Sequence, residues 1–187
     1  MELNLTKRLK TLIKSYFNFV ITKQFNNKTF KVPIIRGMGT INLKNNQDHI
    51  ADLLKKYFSK DCTLIDIGSN VGEVMLLWKS LGGTEASYIG FDPNPNCIYL
   101  MNELIKLNKF KNQIILPIAL GNKTKIQKMI SDNSNPSMVS SGATLCLDQK
   151  SLNTSYEDKY VTVFEAKNIF KDLEIDNENY LLKIDVE

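Results

Sequence analysis

The stretch Thr63 to Gly72, with the sequence T-L-I-D-I-G-S-N-V-G, decides the fold of this chain. A mostly aliphatic run ends at Asp66, a turn that starts at Gly68 follows, and an apolar segment with helical spacing comes next. The pattern predicts a buried strand, a tight turn and a helix. Because glycine permits a sharp turn and a helix start presents unpaired N–H groups, we expect this turn to hold a polar ligand.

The turn differs from the two common nucleotide-binding loops. Asn70 occupies the position of the second glycine in the dinucleotide fingerprint G-x-G-x-x-G, and the Gly-Lys-Ser/Thr ending of a phosphate loop is absent. A turn that needs its glycines for geometry alone is the alternative interpretation.

A second unit of the same kind follows the first. Ser87 to Phe91 is a short apolar run, the sequence D-P-N-P comes next, and helical spacing begins after it. If the two strands are parallel neighbours, Asp92 lies beside the glycine turn, where open α/β sheets bind ligands and an acid commonly binds a ribose diol. Asp92 could instead cap the next helix, but Asn94 is better placed for that role because a proline follows it.

Four motifs in this order resemble those of the FkbM-type methyltransferases, class I enzymes that use S-adenosylmethionine. The motifs are D-I-G-S-N-V-G (66–72), G-F-D-P-N-P (90–95), L-P-I-A-L-G (116–121) and L-L-K-I-D-V-E (181–187). The resemblance extends roughly from Ile50 to Glu187. It implies an α/β fold of the Rossmann-like class I methyltransferase type, an open parallel sheet with helices on both faces.

The resemblance also implies the cofactor, S-adenosylmethionine, and the residues that bind it. In the family the third motif lies along the adenine, where small and aliphatic side chains form an apolar slot. The residues expected to bind the cofactor are Asp66, Gly68, Ser69, Asn70, Gly72, Asp92, Pro93, Asn94, Ala119 and Leu120.

The last predicted strand, Tyr180 to Val186, carries ionisable residues at a spacing of two, Lys183, Asp185 and Glu187. Alternate residues of a strand face the same side, and unpaired charges are costly to bury, so the three predict a polar cleft. We expect Asp185 or Glu187 to act as the general base toward an acceptor hydroxyl, and Lys183 to stabilise the oxyanion or tune its neighbours. A salt-bridged strand end is the alternative.

This strand is central in the seven-stranded sheet of class I methyltransferases, whereas the present sequence ends on it. Because natural proteins avoid an exposed apolar edge strand, we expect the chain to be a fragment whose later strands are missing. Residues 47–187 are predicted to form the partial methyltransferase domain and residues 1–46 an N-terminal extension, within a single domain overall.

The N-terminal extension is predicted to contain a helix and a small hairpin. Met1 to Phe25 has the spacing of a basic amphipathic helix, which we expect to dock on its own domain or a second subunit; peripheral contact with a membrane surface is the alternative. Thr29 to Ile35 and Thr40 to Leu43 are predicted to pair as a hairpin around the turn R-G-M-G. An amphipathic helix is expected from Asp48 to Phe58.

The region after the second helix is predicted to hold a third parallel strand and an insertion. The strand runs from Gln113 to Ile118. Residues 122–159 are rich in Ser, Asn, Lys and Thr, and we interpret them as an insertion with one strand, Lys125 to Ile130, and a Ser-Ser-Gly tip that faces the substrate. A strand over 160–164 and a helical turn over 168–173 are expected before the last strand.

Composition limits the protein class. The 187 residues are 43% hydrophobic with a net charge of +4, and the scattered lysines give no basic patch that predicts nucleic-acid binding. Three separated cysteines, Cys62, Cys97 and Cys146, favour reduced thiols in a cytoplasmic protein over a disulfide framework. The single histidine, His49, cannot form a metal cluster alone, so no metal site is predicted.

The predicted function is methyl transfer to a hydroxyl of a sugar, lipid or natural product, with a small molecule or glycan as the partner. Two alternatives stay open at this point. One is a nicotinamide-dependent Rossmann oxidoreductase, which the missing fingerprint glycines disfavour. The other is a non-catalytic scaffold that keeps the fold.

Overall fold

The described part of the chain, in the computed structural model, comprises residues 17–43, 48–132, 143–145, 156–175 and 179–186. It contains ten strands, four α-helices and a 3-10 helix over Thr40–Leu43. None of the helices in these ranges is long and apolar enough to cross a bilayer. The strands are β1 (Phe19–Phe25), β2 (Lys28–Ile34), β3 (Thr63–Ile67), β4 (Tyr88–Phe91), β5 (Gln113–Leu116), β6 (Ala119–Gly121), β7 (Lys125–Asp132), β8 (Ala143–Leu145), β9 (Tyr156–Glu165) and β10 (Tyr180–Ile184), and the α-helices are α1 (Asp48–Tyr57), α2 (Glu73–Gly82), α3 (Pro95–Asn108) and α4 (Ala166–Asp172).

The central sheet is parallel, with the strand order β10-β3-β4-β5. Its residues alternate between two cores, as strands buried on both faces require. Leu64 and Tyr88 pack on the side of α2 and α3, whereas Ile65 and Ile89 pack on the side of α4. Helices therefore cover both faces, and the predicted Rossmann-like α/β class is confirmed.

A second sheet, with the order β6-β9-β7-β8, follows the central one. Strand β6 runs parallel to β9, and the other pairs are antiparallel. The predicted third strand stops at Leu116 because Pro117 has no N–H for the ladder, and the chain re-enters a sheet at Ala119. The insertion strand β7 is confirmed and is longer than predicted, but the expectation of one strand is wrong, because β8 and the start of β9 also lie within residues 122–159. The Ser-Ser-Gly tip lies outside the described residues.

The N-terminal prediction is wrong where the structure describes it. Residues 19–25 form strand β1 rather than the end of a helix, and the hairpin joins β1 to β2, not residues 29–35 to 40–43. The two-residue turn of Asn26 and Asn27 has positive φ at both positions (43° and 63°), which matches the twist of a tight hairpin. Residues 1–16 of the predicted helix lie outside the described ranges.

Strand β2 fixes the hairpin to the main core. Phe30, Val32 and Ile34 are buried in the same cluster as Leu64 and Trp78. The chain then turns at Gly39 and continues as a 3-10 helix instead of a second hairpin strand, with Asn42 donating from its N–H to the Gly39 carbonyl. Asn42 is fully buried and its side-chain amide donates to the Val71 carbonyl (2.9 Å), so this short helix is tied to the glycine turn.

Candidate functional site

The glycine turn between β3 and α2 is held against the end of β4. The N–H groups of Gly68 and Ser69 both donate to the Phe91 carbonyl, at 2.9 and 3.0 Å. Gly68 has φ +80°, and a Cβ atom there would overlap the carbonyl of Asp185. Glycine is therefore required at position 68 for both the backbone conformation and the close approach of β10.

Asp92 connects the glycine turn to the start of α3. Its Oδ2 accepts from the N–H of Asn70 (2.7 Å), and its Oδ1 accepts from the N–H of Asn94 (2.8 Å). The side chain of Asn94 in turn accepts from the N–H of Asn96 and caps α3, as predicted. Burial raises the pKa of Asp92, and the two backbone N–H groups act in the opposite direction.

The turn and Asp92 border one cavity of about 430 Å³ at the carboxyl ends of the central strands. Parallel α/β sheets bind their ligands at this edge. The cavity wall is apolar on the side of β6 and the second sheet, and polar on the side of the turn and β10. The lining residues are Ile41, Ile67, Gly68, Ser69, Asn70, Val71, Glu73, Val74, Phe91, Asp92, Pro93, Asn94, Ile118, Ala119, Leu120, Met129, Leu145, Lys183, Asp185 and Val186.

Most of the residues singled out from the sequence meet at this cavity. Two of the expected cofactor residues do not line it, because Asp66 is fully buried below the turn and Gly72 faces Met75, Met101 and Leu104. Glu187 lies outside the described residues. Those that do line it are Gly68, Ser69, Asn70, Asp92, Pro93, Asn94, Ala119, Leu120, Lys183 and Asp185.

Asp66 has two side-chain partners from the neighbouring strands. The hydroxyl of Tyr88 donates to Oδ2 (2.7 Å), and the ammonium of Lys183 lies 3.0 Å from Oδ1. Burial raises the pKa of Asp66, whereas the Lys183 charge and the Tyr88 hydrogen bond oppose that effect. Burial also raises the pKa of Tyr88, so the phenol stays protonated and donates its hydrogen bond to the Asp66 carboxylate.

Lys183 and Asp185 face the same cavity, as the spacing of two predicts. Strand β10 ends at Ile184, so Asp185 follows the strand, and its carboxylate lies 3.5 Å from the Lys183 ammonium. The two side chains differ in exposure: Asp185 is 70% exposed, whereas Lys183 is 18% exposed and also donates to the Gly68 carbonyl at 3.0 Å. Asp185 is thus the accessible member of the pair.

Several lining residues were not predicted as site residues. Glu73 is the first residue of α2, and its position directly after Gly72 is a signal that could have identified it. Met129 and Leu145 come from β7 and β8, where they are direct cross-strand partners. No local pattern indicates them, because only the packing of the second sheet brings them to the cavity.

Comparison with known proteins identifies the family. The model of the methyltransferase FkbM domain matches residues 66–187. The chain belongs to the FkbM methyltransferase family. Membership confirms the resemblance seen in the four motifs, and with it the S-adenosylmethionine cofactor of this family. It also counts against the nicotinamide-dependent alternative.

More distant similarities are local. A ribosomal protein L11 methyltransferase from Alkaliphilus oremlandii (strain OhILAs) is 39% identical over 69 residues, which are 37% of this chain and 21% of that protein. The chain therefore spans about a fifth of the length of this curated relative. Solved structures of a candidate SAM-dependent methyltransferase from Streptococcus mutans (15% identity, TM-score 0.39, 52% of this chain and 26% of that chain) and a candidate transferase from Pyrococcus horikoshii (18%, 0.37, 51% and 35%) are similar over part of their lengths.

Proposed function

We propose that this FkbM-family chain binds S-adenosylmethionine in the cavity and transfers its methyl group to a hydroxyl oxygen of a sugar, lipid or natural-product acceptor. The observation that supports this most directly is that the Gly68 turn and Asp92 border one cavity at the carboxyl edge of the sheet. Its volume of about 430 Å³ lies within the range of about 300–1,000 Å³ that is usual for small-molecule sites.

The residues present fit an adenosyl group. Each oxygen of Asp92 accepts one backbone N–H, and because a carboxylate oxygen has two lone-pair sites, each can accept one further hydrogen bond from a ribose hydroxyl. Ile118, Ala119 and Leu120 give an apolar wall suited to a flat ring. The acid, the turn and this wall belong to three successive chain segments that meet at one edge of the sheet.

When bound, S-adenosylmethionine supplies an activated methyl group and its own leaving group. The protein then has to orient the acceptor, and orientation of this kind can contribute on the order of 7–11 kcal/mol. We assign the general base to Asp185, because its exposed carboxylate lines the cavity and can take the proton from an acceptor hydroxyl. With the cofactor held beside Asp92, Ala119 and Leu120, the Asp185 carboxylate would take the proton of the acceptor hydroxyl, and the acceptor oxygen would receive the methyl group in place of that proton.

Calorimetric titration tests the cofactor part of the proposal. We expect saturable binding of S-adenosylmethionine at one site and no saturable binding of NAD. Binding of NAD alone would contradict the proposal. The variant Asp61→Asn, at an exposed acid before β3, serves as the control for preparation quality and should bind as the wild type does.

A transfer assay tests the acceptor part. S-adenosylmethionine with a deuterated methyl group is incubated with panels of sugar, lipid and natural-product alcohols and of amines, and mass spectrometry locates the label. We expect label on oxygen, and we expect Asp185→Asn to abolish transfer while it leaves cofactor binding within a few-fold of wild type. Label on nitrogen alone would contradict the assignment to hydroxyl acceptors.

The buried thiols Cys62 and Cys97 support a cytoplasmic setting for this reaction.

A further inference from the structure

Three adjacent strands bring Tyr88, Asp66 and Lys183 into contact beneath the cavity. Lys183 of β10 is directly opposite Asp66 of β3, and Gly90 of β4 is opposite Asp66 on its other side. Asp66 is fully buried, so its charge depends on the hydrogen bond from Tyr88 (2.7 Å) and the ion pair with Lys183 (3.0 Å).

Gly90 provides the space for this arrangement. A Cβ atom at Gly90 would lie 2.8 Å from Cε1 of Tyr88 and 3.2 Å from its hydroxyl oxygen. The Tyr88 ring therefore lies along its own strand, over Gly90, to reach the acid. Glycine weakens a strand interior and often marks a close approach, which is what position 90 shows.

Lys183 links the buried acid to the glycine turn. Its ammonium donates to the Gly68 carbonyl (3.0 Å), and the N–H of the same peptide group, that of Ser69, donates to the Phe91 carbonyl (3.0 Å). Both ends of the Gly68–Ser69 peptide are thus fixed. This peptide lines the cavity, so its orientation determines the shape of the wall that a ligand meets.

We propose that Tyr88, Asp66 and Lys183 form a positioning relay that holds the Gly68–Ser69 peptide in the orientation needed for cofactor binding. Lys183 is then a positioning residue rather than a group that contacts the reacting atoms. The inference rests on the proposed function, since it concerns the same cofactor site.

The relay gives cofactor binding a dependence on the charge of Asp66. The charged or titratable groups around Asp66 are Lys183, Tyr88, Asp185 and Asp92. Burial raises the pKa of Asp66 and its two partners oppose the rise. Removing the Tyr88 hydroxyl therefore raises that pKa further, and protonation of Asp66 breaks the pair that holds Lys183 against the Gly68 carbonyl.

The test measures binding of S-adenosylhomocysteine to the full chain by calorimetry at pH 6 and pH 8, with the melting temperature recorded in parallel. We expect Tyr88→Phe to bind more weakly than the wild type, and to lose more affinity than the wild type does when the pH falls from 8 to 6. Asp66→Asn in the Tyr88→Phe background should remove the difference between pH values. The matched control is Tyr160→Phe, which removes a hydroxyl from an exposed tyrosine and should behave as wild type.

A Tyr88→Phe protein that melts at a lower temperature but binds equally well at both pH values would overturn the relay and leave a purely structural role. Failure of the wild type to bind contradicts the proposed function and the relay together, so the two failures are distinguishable. If Tyr88→Phe does not fold, the pH titration of the Asp66 carboxyl in the wild type, followed by carbon NMR, tests the relay instead. Because coupling between two sites is reciprocal, we expect S-adenosylhomocysteine to move the titration of Asp66 to lower pH. A titration of Asp66 that the ligand leaves unchanged would overturn the relay.

Discussion

A lysine ties each of the two ends of the central sheet together, but the two lysines have different partners. At the amino ends of β4 and β5, the ammonium of Lys79 donates to the carbonyls of Thr84 (3.1 Å), Ala86 (2.6 Å) and Lys111 (2.5 Å). At the carboxyl ends, the ammonium of Lys183 pairs with Asp66. Lys79 is fully buried and does not line the cavity, whereas Lys183 does.

The difference shows that a lysine can either stabilise the framework, as Lys79 does, or position a wall of the cavity, as Lys183 does. Within the part of the chain that the structure describes, the hydrogen-bond acceptors of Lys79 are neutral carbonyls, and burial lowers its pKa to about 8. Its contacts join loops of the framework. Lys183 shares its charge between an acid and the carbonyl of the glycine turn, so a change there reaches the cavity wall.

The largest difference between the two ends of the sheet is expected when alanine replaces a glycine of positive φ at each end. Gly68→Ala forces an unfavourable φ and an overlap with the Asp185 carbonyl, so we expect a loss of at least about 4 kcal/mol in the free energy of unfolding and loss of cofactor binding. Gly83, at the amino end, has a similar φ (+83°), but a Cβ atom there would meet the Lys28 ammonium at an ordinary contact distance of 3.8 Å. Gly83→Ala should cost about 1–3 kcal/mol and leave binding intact, as measured by urea unfolding and calorimetry. Equal losses of stability and of cofactor binding in the two variants would contradict the difference between the two ends of the sheet.

The pH dependence of stability tests the amino end. The folded-state pKa of Lys79 is lowered from 10.5 to about 8, so between these values the native state binds fewer protons than the unfolded state. Stability from this group therefore rises as pH increases from about 8 to 10.5, by at most about 3 kcal/mol. Urea unfolding over this range should show that Lys79→Met loses the rise, whereas Lys106→Met, at an exposed lysine, keeps it. A rise that persists in Lys79→Met would contradict the assignment.

Asp92→Asn tests the carboxyl end without changing the size of the side chain. The amide places a donor against the N–H of Asn70 or Asn94 and removes the charge, so we expect cofactor affinity to fall by about 2 kcal/mol, roughly thirtyfold. Calorimetry measures the change, with Asp61→Asn as the control. If Asp92→Asn binds the cofactor with wild-type affinity, Asp92 does not contribute to cofactor binding.

The smallest expected effect is the pH dependence of wild-type binding. Burial raises the pKa of Asp92 above 3.8, and the ionised form is the one that accepts from two ribose hydroxyls. Affinity should therefore weaken by a few-fold as pH falls from 7 toward that raised pKa. The same titration of Asp92→Asn should have a smaller slope, and an equal slope in the variant would assign the whole effect to another group.

The sequence was informative where function depends on local patterns. The strand-turn-helix units at 63–82 and 88–108, and the meeting of the glycine turn with Asp92, follow from apolar periodicity and from the rule that parallel strands bind ligands at their carboxyl ends. The spacing of Lys183 and Asp185 likewise predicted a shared side. It did not reveal that Lys183 reaches the Gly68 carbonyl, because that contact depends on the approach of β10 to β3.

The failures have equally specific causes. The apolar residues at 17–25 fit a helical spacing from the preceding segment, but Phe19, Ile21 and Phe25 alternate as in a strand and pack on the main core. The Asn26-Asn27 turn and pairing with β2 favour the strand, so tertiary contacts override the helical pattern. Met129 was not identified because a buried residue of a distant sheet leaves no local signal of its place in a site.

The most direct measurement is a crystal structure of the full chain with S-adenosylhomocysteine. We expect both ribose hydroxyls within hydrogen-bonding distance of the Asp92 carboxylate, the adenine against Ala119 and Leu120, and the Gly68–Ser69 peptide in contact with the ligand. A ligand bound elsewhere, or ribose hydroxyls that make no contact with Asp92, would contradict the assignment of this cavity as the cofactor site.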